Sequence, residues 1–251
     1  MDISGNTILI TGGNGGIGRA LAEALHREGN RIVITGRRKE ALEEVVAANP
    51  GMAYELLDVA DAQAISGFAG VAAVKYPALN VVINNAGIMV AENWTADQVD
   101  LAVPEAIIAA NLLGPIRLTA ALLPQLKRQP SATVVTVSSG LAFVPLVATP
   151  TYNATKAAIH SWSQSLRAQL AGTSVGVIEI VPPQVATELM PGNSLNPNAL
   201  PLDAFITEVV ELLKTHPDGP EICVQRVGFL RGAEARGDYA KVFATLNDGT
   251  H

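Results

Sequence analysis

Short runs of β-branched and other apolar residues alternate along this chain with longer stretches whose apolar side chains recur at helical spacing. Seven runs read as strands: Thr7 to Ile10, Arg31 to Thr35, Tyr54 to Leu57, Val81 to Ile83, Thr133 to Val137, Val175 to Val181 and Ile222 to Val224. Several are apolar on both pleat faces, as in a parallel sheet covered by helices on both sides. Between the first two, Ile17, Leu21, Ala24 and Leu25 share one helical face, and Gly29 supplies the stop. Leu42, Val45 and Val46 repeat the pattern ahead of Asn49 and Pro50. The alternation predicts an α/β fold: a doubly wound, seven-stranded parallel sheet built from βαβ units. No linker, charge block or internal repeat interrupts it, so one domain is expected over residues 1–251. Residues 186–204 are rich in Asn and Pro and read as a loop or lid before a last helix around Asp203 to Lys214.

Length alone, 251 residues, fits one large domain or two small ones. Apolar residues make up 49% and charged residues 16%, enough for a large core and unlike a disordered chain. Seventeen basic against 23 acidic residues give a net charge of −6, which argues against a nucleic-acid partner. The lone cysteine, Cys223, has no companion for a disulfide or a Cys-rich metal site, so no metal is expected and a reducing compartment fits. The N-terminal MDISGN lacks a basic start. The apolar stretch 104–126 is interrupted by Glu105, Asn111, Gly114, Pro115 and Arg117, so it is expected to fall short of a membrane span. A soluble, cytoplasmic protein with no membrane partner is the expectation.

Directly after the first strand comes TGGNGGIG, Thr11 to Gly18, and the first helical pattern starts at its end. Glycines between a strand and a helix let the backbone turn tightly and bring amides close to a pyrophosphate at the positive helix end. Two registers fit the string. Gly13, Gly15 and Gly18 satisfy the standard dinucleotide spacing, whereas Gly12, Gly16 and Gly18 fit T-G-x-x-x-G-x-G.

In the second register, and with NNAG at Asn84 to Gly87 and YNATK at Tyr152 to Lys156, the chain resembles the short-chain dehydrogenases/reductases over about residues 5 to 190. More loosely, it resembles their branch named for teichoic-acid D-alanylation reductases. Three motifs in the family's order and at its separations are far more specific than any one alone. The resemblance implies a Rossmann-type fold and hydride transfer between a nicotinamide dinucleotide and a carbonyl or secondary alcohol. It assigns Gly12, Asn14, Gly16, Ile17 and Gly18 to the phosphates. Asp58 and Val59 fall to the adenine side, and Asn85, Ala86 and Gly87 to the adenosine ribose. An epimerase or dehydratase using the same tyrosine, and a cofactor-sensing protein without chemistry, are the competing classes. The first is usually longer, and the second commonly lacks the Tyr and Lys pair.

At the end of strand two, where an acid would bind the ribose hydroxyls, stand Gly36, Arg37 and Arg38. Two guanidiniums offer charge-assisted bonds to a 2′-phosphate, so NADP(H) is expected over NAD(H).

Of the four tyrosines only Tyr152 has Lys four residues on, which on a helix places both side chains on one face. A phenolate useful near pH 7 needs a downward shift of about 3 units, roughly 4 kcal/mol. A cation within about 4–6 Å supplies about 1–3 units, so Lys156 alone is marginal and the oxidised nicotinamide ring is expected to supply the rest. In reduction the neutral phenol instead protonates the developing alkoxide. The resemblance makes Tyr152 the acid/base and Lys156 its perturber and a ligand of the nicotinamide ribose. It also makes Ser139, thirteen residues upstream, the group that bonds the substrate oxygen; Ser138 fits locally, but the spacing favours Ser139.

Asn111 sits in an apolar helical run, four residues before Pro115. Proline has no N–H, so a continued helix would kink there and leave the Asn111 carbonyl without its donor. In the family the matching asparagine anchors a water that links the lysine to solvent, which places Asn111 in the proton relay.

After strand six the family has Pro-Gly, then a threonine near the nicotinamide carboxamide; here stand Pro182, Pro183 and, at the matching separation, Thr187. Pro183 fixes φ where the family has glycine, and Val185 would offer its backbone to the carboxamide if the path is kept. Leu141, Phe143, Val144, Gln184, Leu189 and Met190 are expected to line a mainly apolar substrate pocket. The tail after Cys223 lacks the glycine-rich ending of tetrameric members, so a homodimer is expected before a homotetramer.

Overall fold

Both edges of β1 (Thr7–Thr11) are taken, by β2 (Arg31–Gly36) and β4 (Leu79–Asn84), and every residue of β1 is buried. The computed structural model describes residues 1–248. With β3 (Ala53–Leu56), β5 (Ala132–Val137), β6 (Val175–Val181) and β7 (Glu221–Cys223), these strands form one parallel sheet in the order β3-β2-β1-β4-β5-β6-β7. The strand order reverses between β1 and β4, and a doubly wound sheet opens its ligand crevice at that point, beyond the strand carboxyl ends.

Alternate residues of each strand feed two cores. Ile8 and Ile10 of β1 join Ile34, Ile83, Val135 and Ile180 on one face. There they meet Leu21 and Leu25 of α1 (Gly16–Arg27) and Phe205 and Val209 of α7 (Leu202–Thr215). Leu9, Val33, Val82 and Val134 face the other way, against Ile65 and Phe68 of α3 (Ala62–Lys75) and Leu118 and Leu122 of α5 (Gly114–Leu126). Between α1 and α3 lies α2 (Lys39–Ala48); α4 (Ala102–Ile108) and the long α6 (Pro150–Leu170) complete the second layer.

Each predicted strand is present, its ends moved by two residues at most. Four expectations are corrected. The helix around Asp203 to Lys214 exists as α7, but it is not the last. After β7 come α8 (Gly228–Arg231), α9 (Ala233–Arg236) and α10 (Tyr239–Asn247), around a small core of Val144, Leu230, Ala233 and Val242. Gly232 and Gly237 cut this tail into pieces too short to show a helical period. Residues 186–204 are less loose than their composition implies: Val185 bridges Leu200, and Asn193–Leu195 form a 3-10 turn. The stretch Ala102–Leu126, in which an 18-residue window reaches a mean hydropathy of 1.7, is long and apolar enough to cross a membrane, despite its polar interruptions. In the fold its Ile107, Leu118, Leu122 and Leu126 are buried. Finally, the expected kink at Pro115 takes the form of a π turn, Ala109–Leu113, in which the Gly114 N–H donates to the Ala109 carbonyl.

Candidate active site

At the end of β1 the backbone itself demands glycine. Gly12 has φ +68 and Gly16 φ +50. A Cβ on Gly18 would sit 2.3 Å from the Gly12 carbonyl oxygen, and one on Gly12 would sit 3.0 Å from Ala86 Cα. Gly15 is extended, at φ −176, with open space beside it. The register Gly12, Gly16, Gly18 therefore carries the conformational requirement. Gly13 is needed for packing, because its Cβ would meet Ile34 Cγ2 at 2.5 Å. Gly15 caps α1 with no side chain on the first amides and no acid in the first turn, so the positive helix end faces an open space suited to an anion. The turn therefore fits a dinucleotide pyrophosphate. Ile17 follows in the first turn of α1, half-buried against the core.

Arg37 and Arg38 are both exposed after β2. Arg38 reaches back to the turn: with the Asn14 amide oxygen towards it, Nη2 and Nε donate at 2.8 and 3.3 Å. Asp58 accepts from the Ala60 amide at 2.9 Å, and Val59 is packed so closely on Gly114 that a Cβ there would lie 2.7 Å from its carbonyl oxygen.

Thr11 ties the loop after β4 to the glycine turn. Its hydroxyl accepts from the amides of Asn85 and Ala86 at 3.0 and 2.9 Å, and its carbonyl accepts from Asn85 Nδ2 at 2.9 Å. Gly87 then passes Asn111, whose Oδ1 would lie 3.2 Å from a Cβ at that position. Asn111 Nδ2 in turn lies 3.5 Å from Thr155 Oγ1 on α6, next to Lys156. A continuous set of contacts thus joins the glycine turn to the Tyr and Lys helix.

Tyr152 and Lys156 are both only 5% exposed. The Lys156 ammonium is 5.5 Å from the centre of the Tyr152 ring and donates to the Val137 carbonyl at 2.7 Å. Burial pushes the Tyr152 phenol up to about 12, while the facing Ser139 hydroxyl favours the ionised form. Burial lowers Lys156 to about 8, against the opposing charge of Glu179. The downward pull on the phenol expected of Lys156 does not act within the protein itself: desolvation dominates, and Ser139 alone opposes it. Ser139, at the end of β5, also accepts from the Leu141 amide at 3.1 Å.

After β6, Pro182 accepts from the Gly140 amide at 2.8 Å, and Thr187 lies beside Gly16, its Cβ 3.6 Å from where a Gly16 Cβ would be. The loop therefore closes over the glycine turn, with no cis peptide among the described residues despite Pro183. The Val185 carbonyl is engaged by Asn193 Nδ2 at 2.8 Å.

The expected substrate residues fall on three parts of the fold. Val144 is fully buried in the small C-terminal core, and Phe143 packs edge-on to His160 at 4.6 Å with Arg231 over its ring. Leu141 and Phe143 line a groove of about 600 Å3 with Leu146, Asn153, Tyr239 and Phe243, which does not include Tyr152 or Ser139. Leu189 and Gln184 are exposed, Met190 is half-buried, and Gln184 donates to Asn193 Oδ1 at 2.8 Å. The reading from sequence passed over Thr11, Thr155, His160 and Glu179. Of these, Thr11 leaves a signal as the first residue of T-G-x-x-x-G-x-G, and Glu179 as an acid inside an apolar strand.

The short chain dehydrogenase family model matches residues 6–197. The uncharacterized oxidoreductase DltE of Bacillus subtilis (strain 168) is 39% identical over 251 residues, covering 98% of both chains. An uncharacterized oxidoreductase of Staphylococcus aureus (strain USA300) is 33% identical over 72% of this chain and 78% of its own. A Burkholderia cenocepacia J2315 short chain dehydrogenase solved in complex with NADP superposes with TM-score 0.81 at 25% identity, covering 96% of this chain and 99% of that one. A short-chain dehydrogenase from Streptomyces avermitilis does so with TM-score 0.80 at 26% identity, over 94% of this chain and 95% of that one.

Proposed function

This chain belongs to the short-chain dehydrogenase family, and from that premise we propose that it transfers hydride between NADP(H) and the carbonyl or secondary alcohol of a small, mainly apolar substrate. The observation that carries the reading is the buried pair of Tyr152 and Lys156 on one face of α6, with Ser139 facing the phenol and linked by contacts to the glycine turn. The nicotinamide, when bound, supplies or accepts the hydride. Gly12, Asn14, Gly16, Ile17 and Gly18 hold the phosphates, and Arg37 and Arg38 the 2′-phosphate. Asp58 and Val59 serve the adenine, Asn85 to Gly87 its ribose, Lys156 the nicotinamide ribose, and Pro182, Val185 and Thr187 the carboxamide. That the Burkholderia relative is solved with NADP agrees with the charge argument from the arginines.

In the reductive direction Ser139 holds the substrate oxygen and Tyr152 donates its proton as negative charge develops there. A phenol pushed up to about 12 is fully protonated at neutral pH, which is the form this step consumes. The Asn111 carbonyl has no donor at the fourth residue on, because Pro115 carries no N–H, and it is the acceptor assigned to a water that returns protons through Lys156. We assign a homodimer as the assembly, supported by Leu101, Ile108 and Leu113, which are exposed along α4 and its flanks. The test is titration with NADPH and NADH followed by a panel of ketones and secondary alcohols. Tighter NADPH binding and turnover of at least one member are expected. NADPH binding without any turnover would count against hydride transfer and for a cofactor-sensing protein.

A further inference from the structure

Thr136, Glu179 and Glu221 stand abreast on β5, β6 and β7. In-register neighbours of a sheet point to the same face, and this row points at α6. Thr136 Oγ1 lies 2.8 Å from Ser163 Oγ, and Glu179 Oε2 lies 2.8 Å from His160 Nδ1. Glu179 is fully buried, and its other oxygen, Oε1, has no hydrogen-bond partner among the described residues. Two carboxylates side by side repel, so the row needs cations. Arg231 answers Glu221, with Nε and Nη2 donating at 2.8 and 3.1 Å, and Cys223 Sγ sits 3.7 Å from the same carboxylate. His160, Glu179 and Glu221 offer ligand atoms within 4.8 Å of one another. With Arg231 already neutralising Glu221, the group is a compensated charge network rather than a cation site.

Glu179 is left with His160, which it bonds, and acts through space on Lys156, one helical turn back. Tyr152, Lys156 and His160 recur every four residues and so share one face of α6. The Lys156 ammonium is fixed on the carbonyl of Val137, the residue after Thr136, which is the strand neighbour of Glu179.

We propose that Glu179, held by His160, is a positioning residue for Lys156, its buried carboxylate keeping that side chain in the ammonium form beside Tyr152. The role of the ammonium in catalysis rests on the hydride-transfer reading; the charge state of Lys156 does not. The charged and titratable groups facing this pair are Tyr152 and His160 from α6, Glu221 and Cys223 from β7, and Arg231 from α8. Burial alone favours the neutral amine, and Glu179 is the group whose charge opposes it.

The test needs no turnover. The protein is labelled with 13C-lysine, Lys156 is assigned by the signal lost in Lys156→Arg, and its shift is followed with pH. In the wild-type protein Lys156 is an ammonium at pH 7; a neutral-amine shift there overturns the proposal without any variant. In Glu179→Gln the midpoint falls by one pH unit or more, a tenfold loss of proton affinity, and in Glu179→Asp it stays near the wild-type value. Equal midpoints in the wild type and Glu179→Gln overturn it as well. A protein that fails to oxidise NADPH yet shows these shifts would contradict the hydride-transfer reading and leave the positioning role standing.

Discussion

The side chain of Asn111 clamps the backbone of Ile88 at both ends, Oδ1 accepting from its N–H at 2.8 Å and Nδ2 donating to its carbonyl at 2.9 Å. The clamp sits on the π turn and fastens the loop carrying Asn84 to Gly87 to the helical layer that holds Tyr152. Asn111→Ala leaves two partly buried backbone groups without partners, at about 1–3 kcal/mol each. Urea unfolding is expected to show a loss of about 2–6 kcal/mol. An unchanged midpoint would show that the clamp is dispensable.

The glycine turn predicts a contrast between two neighbours. Gly18→Ala forces a methyl to within 2.3 Å of the Gly12 carbonyl, so it destabilises the fold by about 1–3 kcal/mol and weakens NADPH binding. Gly15→Ala adds its methyl to open space and leaves stability within about 0.5 kcal/mol. It should still weaken NADPH binding, because that space is where the phosphates are assigned. Thermal unfolding and fluorescence titration of both variants separate the two effects, and undiminished NADPH affinity in Gly15→Ala would move the phosphates elsewhere.

With the Asn14 amide oxygen towards it, Arg38 bonds the turn, which puts a positive charge where a 2′-phosphate would arrive. Charge-assisted hydrogen bonds contribute about 1.5–3 kcal/mol, so Arg38→Ser should weaken NADPH binding about 10- to 100-fold. NADH affinity should stay nearly constant. Parallel losses for both dinucleotides would remove the basis for NADP(H) preference.

The Lys156 ammonium leaves a signature in the pH dependence of folding. Its folded value, about 8, lies below the ordinary 10.5, so between those limits the unfolded chain holds the extra proton and stability rises with pH. Tyr152 and Cys223, both pushed up to about 12 by burial, act oppositely: the folded chain keeps their protons longer, and stability falls above about pH 9–10. Comparing the wild type with Lys156→Met cancels those two contributions. The wild type should gain about 2 kcal/mol relative to the variant between pH 8 and pH 10 in urea unfolding. A constant difference would mean that Lys156 is not depressed.

The sheet was legible because its strands are apolar on both faces, and Gly12, Gly16 and Gly18 because a strand and a helix flank them. Tyr152 and Lys156 were visible as an i, i+4 pair, but not the balance of burial over charge, which depends on how deeply α6 is packed. The tail helices α8 to α10 escaped because Gly232 and Gly237 divide them below the length at which periodicity shows. Phe143 and Val144 read equally as pocket or core until the tail that covers Val144 was placed. Glu179 leaves a signal that the sequence reading passed over, an acid within VGVIEIV, where a buried charge requires a partner. Its partners come from α6 and the tail, and only the fold brings them together.

The role of the Tyr152 hydroxyl is tested most directly by NADPH oxidation with the best ketone of the panel, comparing the wild type with Tyr152→Phe under saturating NADPH. Loss of a general acid predicts a rate lower by about 10²- to 10⁴-fold with NADPH affinity retained. Equal rates in the two proteins would contradict the assignment of Tyr152 as the proton donor.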